Sequence, residues 1–355
     1  MKEKVEKGFI FICLLILFLP LLLVIVRVKV DDRFSSEKIN GNFEKNFPLK
    51  DDYFSIYFYI KSEIFDVNPI PDKVIDLKNG WLFCGDNFGD NLSESKGLKK
   101  FSKNEVDTLK SNILKKEKWL KKNNIQYYIA VAPNKESIYG NLISINKRKS
   151  ILTKREQIDS LCKKINTNYI DLSSNFPKNG KILFFHKTDT HWNEYAGFFG
   201  YLSIINQIKL KNPNQNITPL NINNFYIAQS DVIIGDLREM LRLVKTEKLV
   251  VMNYKKPNSP KSWMLKANLV APEGYENDPS IYARRFGSKS NKLKIMLLTD
   301  SFGGYMVKFL KENFGESVFI WGHTFNKEMI DKEKPDIIIQ EFVERNVDFL
   351  LDKKN

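Results

Sequence analysis

The sequence predicts an α/β fold in which helices cover both faces of a parallel sheet, and three observations lead to it. A capped helical pattern followed by a short apolar strand occurs twice in succession, over residues 102–131 and 153–172. A strand–helix–strand–helix–strand run occupies residues 295–340. A further capped helix is predicted over residues 193–209, between these two regions. Helices that alternate with short apolar strands are typical of parallel sheets covered on both faces.

The first half of this pattern begins with a hairpin and continues with two capped helices. Residues 74–83 contain two short apolar runs joined by an Asn-Gly turn, which favours a tight hairpin. Ser102 with Glu105, and Thr153 with Glu156, have the spacing of capping boxes. Apolar residues follow each box at the spacing of one helical face, and a strand follows each helix.

The second half contains an interruption. A short strand is expected at Ile182–His186, and Asn193 caps the next helix. Residues 210 to about 290 lose the alternation and are rich in Asn, Pro, Lys and Tyr, so we predict an irregular insertion of loops over the sheet. The alternation returns at residues 295–340, where a helix is expected over 302–314. Strands in such a βαβαβ run belong in the sheet interior.

The N-terminus predicts a membrane anchor. Residues 8–26 are an uninterrupted apolar run, long enough to cross a bilayer as a helix, and no small-residue cleavage site ends it. The basic excess is slightly larger before this run, which predicts a cytoplasmic tail at residues 1–7. Residues 27–70 are predicted to be a tether, and residues 71–350 the main domain. We therefore expect a single-pass membrane protein with an extracytoplasmic C-terminal domain.

The composition limits the classes of partner. The formal net charge of +14 comes from a large excess of lysine. Outside the cytoplasm such a charge favours anionic lipid headgroups or an anionic polysaccharide over nucleic acid, and a solvated lysine surface is the alternative. Cys84 and Cys162 are either a disulfide or two buried thiols. No group of Cys and His has metal-ligand spacing, and no Gly-rich phosphate loop is present, so neither a metal nor a cofactor is predicted.

A serine stands where a nucleophile would be expected. Ser301 follows the strand at 295–298 and precedes a helix. On such a turn the hydroxyl lies at the carboxyl end of the sheet, and backbone N–H groups at the helix start are available to an oxyanion. The alternative is that Asp300 and Ser301 only cap the helix.

An acid and a base are available in one short segment. Asp189 and His191 are two residues apart, so in an extended segment both side chains point to the same side. A serine nucleophile needs a base, and a histidine held by a carboxylate is the usual one. The chain has three histidines, of which His186 is assigned to a strand and His323 remains a rival base.

These residues resemble those of a known family. Asp-x-His-Trp-Asn before a helix, with a later Asp-Ser-Phe turn, is similar to the membrane-anchored polysaccharide O-acetyltransferases of the alginate acetylation type. Shorter pieces agree in the same order, spanning roughly residues 70–350: Gly80-Trp81-Leu82-Phe83, Ala132-Pro133-Asn134-Lys135, Gly235-Asp236-Leu237 and Glu341-Phe342-Val343-Glu344-Arg345-Asn346. The resemblance implies an SGNH-hydrolase-like (flavodoxin-like) domain in which the serine block follows the Asp-His block, a circular permutation of the usual order.

The resemblance also implies roles. Ser301 would be the nucleophile, His191 the base and Asp189 the residue that orients it. Oxyanion donors would be the backbone N–H groups of Ser301 and Gly303. Asn134 would be a further side-chain contributor to the oxyanion contacts. Arg284, Arg285 and Arg345 would contact a charged or hydroxyl-rich substrate, and a salt-bridged structural role is the alternative for each of them. Thr299 departs from the family pattern, which has glycine at that position, and this puts the oxyanion geometry in question.

The implied function is transfer of acetyl groups to hydroxyls of an extracytoplasmic polysaccharide through an acetyl-serine intermediate. The implied partner is an integral-membrane acyltransferase that supplies acetyl groups. Two alternatives remain open: an esterase that uses the same three residues with water as acceptor, and a non-catalytic polysaccharide-binding component of exopolysaccharide biosynthesis.

Overall fold

The computed structural model describes residues 50–352 apart from 88, 144–151, 179, 244–246, 259, 268, 276 and 277, and also residues 7, 8, 10, 11, 14 and 18. Two compact units are present, Met1–Pro69 and Ile70–Asn355. In the first, helix α1 (Lys50–Tyr59) continues into a π-helical turn at Ile60–Ile64. The anchor predicted over residues 8–26 lies almost wholly outside the described residues and stays a prediction. Among the described residues, none of the helices has the length and apolar character needed to span a membrane.

The second unit is built on a seven-stranded mixed sheet. Its strands are β3 (Gln126–Ala132), β4 (Asn168–Asp171), β7 (Trp263–Leu265), β8 (Ala283–Gly287), β9 (Lys294–Thr299), β10 (Glu316–Trp321) and β11 (Ile337–Val343). They lie side by side in the order β4-β3-β11-β9-β10-β8-β7. The first five are mutually parallel, whereas β8 and β7 pair antiparallel at one edge. The predicted parallel sheet is therefore correct for five strands and wrong for the two edge strands.

Two antiparallel pairs lie outside this sheet. The predicted hairpin is present as β1 (Val74–Asp76) and β2 (Leu82–Cys84). The other pair is a longer ribbon of β5 (Phe225–Ile234) and β6 (Glu247–Tyr254). This ribbon, together with β7 and β8, shows that residues 210–290 are not an irregular insertion: they contain four strands, two of which extend the central sheet.

The helices of the second unit connect and cover the strands. They are α2 (Asn91–Ser95), α3 (Lys103–Lys122), α4 (Lys135–Tyr139), α5 (Lys154–Ile165), α6 (Glu194–Lys211), α7 (Asp236–Met240), α8 (Pro279–Tyr282), α9 (Ser301–Gly304), α10 (Val307–Leu310) and α11 (Lys327–Glu333). Short 3₁₀ segments lie at Gly140–Ile143, Ile222–Asn224 and Glu344–Leu351. Both predicted capping boxes are present, at the starts of α3 and α5. The helix expected over 302–314 is wrong as a single element, because the chain there forms α9 and α10 with an intervening turn.

The two faces of the sheet carry separate apolar cores. In β3 the side chains of Tyr128, Ala130 and Ala132 belong to one buried cluster, and those of the alternate residues belong to the other. The first cluster includes residues of α6 and α10, and the second includes residues of α3, α5 and α11. This alternation follows from the two-residue period of a strand. The sheet is thus buried on both faces, as the sequence predicts, and only its ends and its edges are available for a site.

Candidate active site

Ser301 lies at the carboxyl end of the central strand β9. The strand ends at Thr299, and Asp300 then caps α9 by accepting a hydrogen bond from the backbone N–H of Phe302 (2.9 Å). The second carboxylate oxygen of Asp300 accepts from the N–H of Val343 at the end of β11 (2.9 Å). Asp300 does cap the helix, as the alternative interpretation supposed. Ser301 itself points elsewhere.

The Ser301 hydroxyl contacts the histidine of the Asp-x-His-Trp segment. Its Oγ lies 2.8 Å from Nε2 of His191. On the other side of the ring, Nδ1 of His191 lies 2.7 Å from Oδ1 of Asp189. The structure therefore brings Asp189, His191 and Ser301 into one hydrogen-bonded chain, although 110 residues separate the histidine from the serine. This is the geometry of a nucleophile, a base and an orienting acid.

The Asp189 carboxylate is held on both oxygens. Oδ1 also accepts from the backbone N–H of His191 (2.8 Å), and Oδ2 accepts from the N–H groups of Gly235 (3.0 Å) and Asp236 (3.2 Å). Burial alone would raise the pKa of this carboxyl, but the hydrogen bonds from His191 outweigh it and hold the pKa well below its usual range. Asp189 is thus a fixed anion beside the imidazole.

Asp236 is a site residue that the sequence analysis did not assign. Its Oδ2 lies 3.6 Å from Nδ1 of His191, so a second carboxylate faces the same edge of the ring. Burial, and then the charge of Asp189, raise the pKa of Asp236. The only sequence signal was the Gly235-Asp236-Leu237 piece of the family resemblance, because no local pattern connects residue 236 with residue 191.

A tryptophan connects the His191 segment to the Ser301 turn. The indole Nε1–H of Trp192 donates to the carbonyl of Phe302 (3.0 Å), so the residues following His191 and Ser301 are hydrogen-bonded to each other. Trp192 is fully buried and packs against Gly200 of α6, where a Cβ would lie only 2.8 Å from the indole. Any larger residue at 200 would push the indole away. Asn193 caps α6 as predicted, by accepting from the N–H of Ala196.

The ammonium group of a buried lysine is hydrogen-bonded to the backbone of the loop that contains Asp189. The Nζ of Lys135 donates to the carbonyls of Leu82 and Lys187 (2.7 Å each) and of Asp189 (3.1 Å). The rings of Trp81 and Phe83 also lie within 5.3 Å and 5.1 Å of this ammonium group. Burial lowers the pKa of Lys135 to about 8. Residues 80–83 and 133–135, two of the pieces in the family resemblance, therefore both contribute to the support of the Asp189 loop.

Thr299 occupies the space that the family pattern leaves empty, and Gly303 accommodates it. The Oγ1 of Thr299 donates to Oε2 of the buried Glu341 (2.6 Å). A Cβ at position 303 would lie 1.6 Å from that Oγ1 and 2.9 Å from Oε2 of Glu341. Gly303 is thus required by close packing. Burial, and then the charge of Asp300, raise the pKa of Glu341 well above its usual range, so its carboxyl keeps a proton at a pH where a free glutamate has released it.

Asn134 and Arg345 lie next to each other at the ends of β3 and β11. The Nη1 of Arg345 lies 3.5 Å from the Asn134 side-chain oxygen, and its guanidinium stacks over the ring of Phe302 (5.2 Å). Asn134 is fully buried and its Nδ2 donates to Oδ1 of Asn91 (3.3 Å). Arg345 therefore borders the Ser301 turn, whereas the Asn134 amide has a structural hydrogen bond.

The remaining residues considered from the sequence have other surroundings. His323 is buried, its Nε2 faces Asp300 at 3.7 Å, and burial lowers its pKa, so it does not replace His191 beside Ser301. Arg285 of β8 forms ion pairs with Glu316 and Glu333, and Arg284 lies beside it on the same strand. Strand β10 separates both arginines from β9. Cys84 and Cys162 are buried free thiols.

Within the part of the chain that the structure describes, one group of side chains has the arrangement of metal ligands. Asp189, His191 and Asp236 offer atoms that all lie within 4.8 Å of one another. However, four N–H groups already donate to the Asp189 oxygens, and Nδ1 of His191 is one of them. A cation there would have to displace these bonds. The donor set therefore fits an oriented imidazole better than a metal centre.

Solved structures of other proteins share the fold of this chain. Bacillus cereus PatB1 superimposes with a TM-score of 0.55 at 18% identity, covering 79% of this chain and 98% of that chain. The same protein with a sulfonyl adduct gives 0.57 at 17%, with the same coverage. A DHHW family protein from Eubacterium siraeum gives 0.53 at 10%, covering 78% and 93%. At these identities the similarity establishes the fold. No curated protein matches the sequence.

The family itself is identified by sequence. Residues 74–344 match the family described as "SGNH hydrolase-like domain, acetyltransferase AlgX". This range contains both the Asp-x-His-Trp segment and the Asp-Ser-Phe turn, whose side chains meet in the structure. The chain therefore belongs to the AlgX-type family of SGNH hydrolase-like acetyltransferase domains.

Proposed function

We propose that this protein is an O-acetyltransferase that transfers acetyl groups to hydroxyls of an extracytoplasmic polysaccharide through an acetyl-serine intermediate. The observation that carries the proposal is the hydrogen-bonded chain from Ser301 through His191 to Asp189, with distances of 2.8 and 2.7 Å. It stands at the carboxyl end of the central strand of an acetyltransferase-type domain. Serine, imidazole and carboxylate in this order are the groups that covalent acyl transfer requires.

In the first half-reaction, Ser301 Oγ attacks the carbonyl carbon of an acetyl donor while its proton passes to Nε2 of His191. The tetrahedral intermediate then collapses: the bond to the leaving group breaks, and the imidazolium returns its proton to that group. Asp189 stabilises the transient imidazolium without taking its proton, because its pKa is held low. The product is acetyl-Ser301.

In the second half-reaction, a sugar hydroxyl gives its proton to Nε2 of His191 as its oxygen attacks the acetyl carbon. The ester bond to Ser301 breaks, and the proton passes to Ser301 Oγ. The same imidazole thus serves as base and acid in both halves. The acetylated sugar leaves a regenerated enzyme.

The tetrahedral oxyanion needs hydrogen-bond donors near Ser301. Among the described residues, the backbone N–H groups of Ser301 and Gly303 have no acceptor. We assign them to the oxyanion, as the family resemblance implies. Arg345, which stacks on the adjacent Phe302, is assigned to substrate contact. The Nδ2 of Asn134 is already bonded to Asn91 and supports the Arg345 side of the site.

The proposal includes the cellular arrangement. Residues 8–26 would anchor the chain, residues 71–350 would lie outside the cytoplasm, and an integral-membrane acyltransferase would supply acetyl groups. The support is the apolar N-terminal run and its basic flanks. Tethering two components to one membrane raises their effective concentration and so favours transfer between them.

The test uses the purified full chain with an activated acetyl ester and an oligosaccharide acceptor. We expect acetylated sugar from the wild type and a loss of at least about 10³-fold in Ser301→Ala. A quenched reaction without acceptor should carry one acetyl group on the peptide that contains Ser301. Ser160→Ala is the matched control, because Ser160 lies exposed on α5; it should leave the rate unchanged.

Other outcomes separate the alternatives. Acetate release without acetylated sugar would identify an esterase. Normal acetylation by Ser301→Ala would contradict the acetyl-serine route. A sulfonyl fluoride reagent offers a second readout, since a solved structure of PatB1 carries a sulfonyl adduct. It should label the wild type and Ser160→Ala but not Ser301→Ala.

A further inference from the structure

We propose that Asp236 is a positioning residue for His191: a second carboxylate that faces the Nδ1 edge of the imidazole and strengthens its hold on a proton. The inference rests on the proposed function, in which His191 accepts the Ser301 proton. It adds to that function a residue from the segment between β5 and β6, 45 positions beyond the histidine. Asp189 alone is the orienting acid in the Ser-His-Asp arrangement that the sequence predicts.

The orientation of Asp236 is fixed by its neighbours. Oδ1 accepts from the backbone N–H groups of Thr190 and Leu237 (2.7 Å each). Oδ2 accepts from the hydroxyl of Thr190 and lies 3.6 Å from Nδ1 of His191. The carboxylate therefore cannot turn from the ring without losing bonds to the residue that immediately precedes the histidine. Asp236 therefore places a negative charge beside the imidazole and also holds the backbone of Thr190, which precedes His191.

Asp189 and Asp236 both face the imidazole of His191, which is a cation when it carries the Ser301 proton. Asp189 contacts Nδ1 directly at 2.7 Å, and Asp236 lies just behind at 3.6 Å. Each acid raises the cost of ionising the other, in agreement with the raised pKa of Asp236, and an imidazolium between them relieves that cost. The benefit is realised when His191 carries the Ser301 proton, which is the state formed during acyl transfer.

Other charged groups near His191 also affect its proton affinity. Asp189, Tyr305 and His186 are titratable side chains around His191, and Glu247 and Lys135 in turn act on the pKa of His186. The hydroxyl of Ser301 is hydrogen-bonded to Nε2. Glu247 is bonded to the N–H groups of Lys187 and Thr188, and the Lys135 ammonium to backbone carbonyls. Asp236 is the described carboxylate nearest to Nδ1 after Asp189, so its removal should dominate any change in the ring's proton affinity.

The test measures the pKa of His191 directly in the full chain. The chain has three histidines, so the Cε1–H signal of His191 can be assigned by its loss in His191→Gln. In Asp236→Asn we expect the pKa of His191 to fall by about one pH unit, because an opposite charge within about 4–6 Å shifts a pKa by roughly that much or more. The acid limb of the pH profile of kcat/KM should move to lower pH by the same amount. Asp231→Asn, an exposed residue paired with Lys248, should change neither.

Two further variants complete the design. Asp236→Glu keeps a carboxylate and should restore most of the pKa, which a loss of packing would not do. Asp236→Ser is neutral and keeps an acceptor for the Thr190 N–H, so it gives the same readout if the amide variant folds poorly. An unchanged His191 pKa in the neutral variants would overturn the inference. Because the titration needs no turnover, a chain without acyl-transfer activity whose His191 pKa still shifts would refute the proposed function and leave this inference standing.

Discussion

The buried carboxyl of Glu341 predicts a pH-dependent stability that a single substitution should remove. Glu341 lies on β11 beneath the Ser301 turn and is completely buried. Its Oε2 accepts from the hydroxyl of Thr299 (2.6 Å) and the N–H of Asp300 (3.3 Å), whereas Oε1 has no partner among the described residues. Burial raises its pKa, and the charge of Asp300 raises it further. The folded protein therefore keeps a proton that the unfolded chain releases.

The size of the effect follows from proton linkage. Above the unfolded pKa of about 4.3, the folded state binds one proton more than the unfolded state, so stability falls by about 1.4 kcal/mol for each pH unit. The fall continues until the pH reaches the raised folded pKa. Between pH 5 and 8 the loss attributable to Glu341 is therefore up to about 4 kcal/mol. Glu341→Gln is neutral throughout and keeps an oxygen for Thr299, so it should lose none of this.

The assay is urea unfolding of the full chain in a non-ionic detergent, followed by tryptophan fluorescence at several pH values from 5 to 8. The difference between Glu341→Gln and the wild type should grow in favour of the variant as the pH rises. Glu239→Gln is the control, because the Glu239 side chain is 71% exposed; its difference from the wild type should stay constant. A constant difference for Glu341→Gln as well would show that Glu341 is ionised in the fold, and would refute the reasoning.

Three further substitutions test the support of the site. Gly303→Ala places a Cβ 1.6 Å from Thr299 Oγ1, so we expect about 1–3 kcal/mol of destabilisation in urea and a matching loss of initial rate; wild-type stability would contradict the packing argument. Lys135→Met removes the ammonium that donates to the carbonyls of Leu82, Lys187 and Asp189, of which the Lys187 carbonyl keeps the N–H of Leu82 as a donor, and should cost at least about 2 kcal/mol in the same assay. Trp192→Phe keeps a ring but loses the hydrogen bond to the Phe302 carbonyl. We expect the free energy of unfolding to fall by about 1 kcal/mol and kcat to fall about tenfold. An unchanged kcat would show that this bond does not set the Ser301–His191 distance.

Local patterns allowed much of this structure to be predicted. The capping boxes of α3 and α5 and the Asn193 cap depend on residues three positions apart, which the sequence displays directly. The strand before Ser301 is a continuous apolar run, as expected for a strand covered on both faces. The two-residue spacing and the scarcity of histidine indicated His191 and Asp189 as candidates, and the family resemblance implied their roles.

Elements that depend on long-range contacts could not be predicted from local sequence patterns. Strand β7 is an edge strand with exposed side chains at Trp263 and Met264, so it lacks the apolar pattern of a buried strand. The strand expected at Ile182–His186 is wrong for the converse reason. The N–H of Phe184 donates to the hydroxyl of Tyr139, its carbonyl accepts from the N–H of Asn193, and a single bridge pairs Phe185 with Trp192. Apolar composition was present there without a partner strand.

The backbone of Gly235 and Asp236, which holds the outer oxygen of Asp189, also bears on how domains of this kind can be engineered. The acid is anchored by N–H groups from the ribbon region, between β5 and α7. A chimera that imports the Asp-x-His-Trp segment alone would therefore carry an acid with half of its anchoring missing. The two pieces form one transplantable unit, and they should be exchanged together.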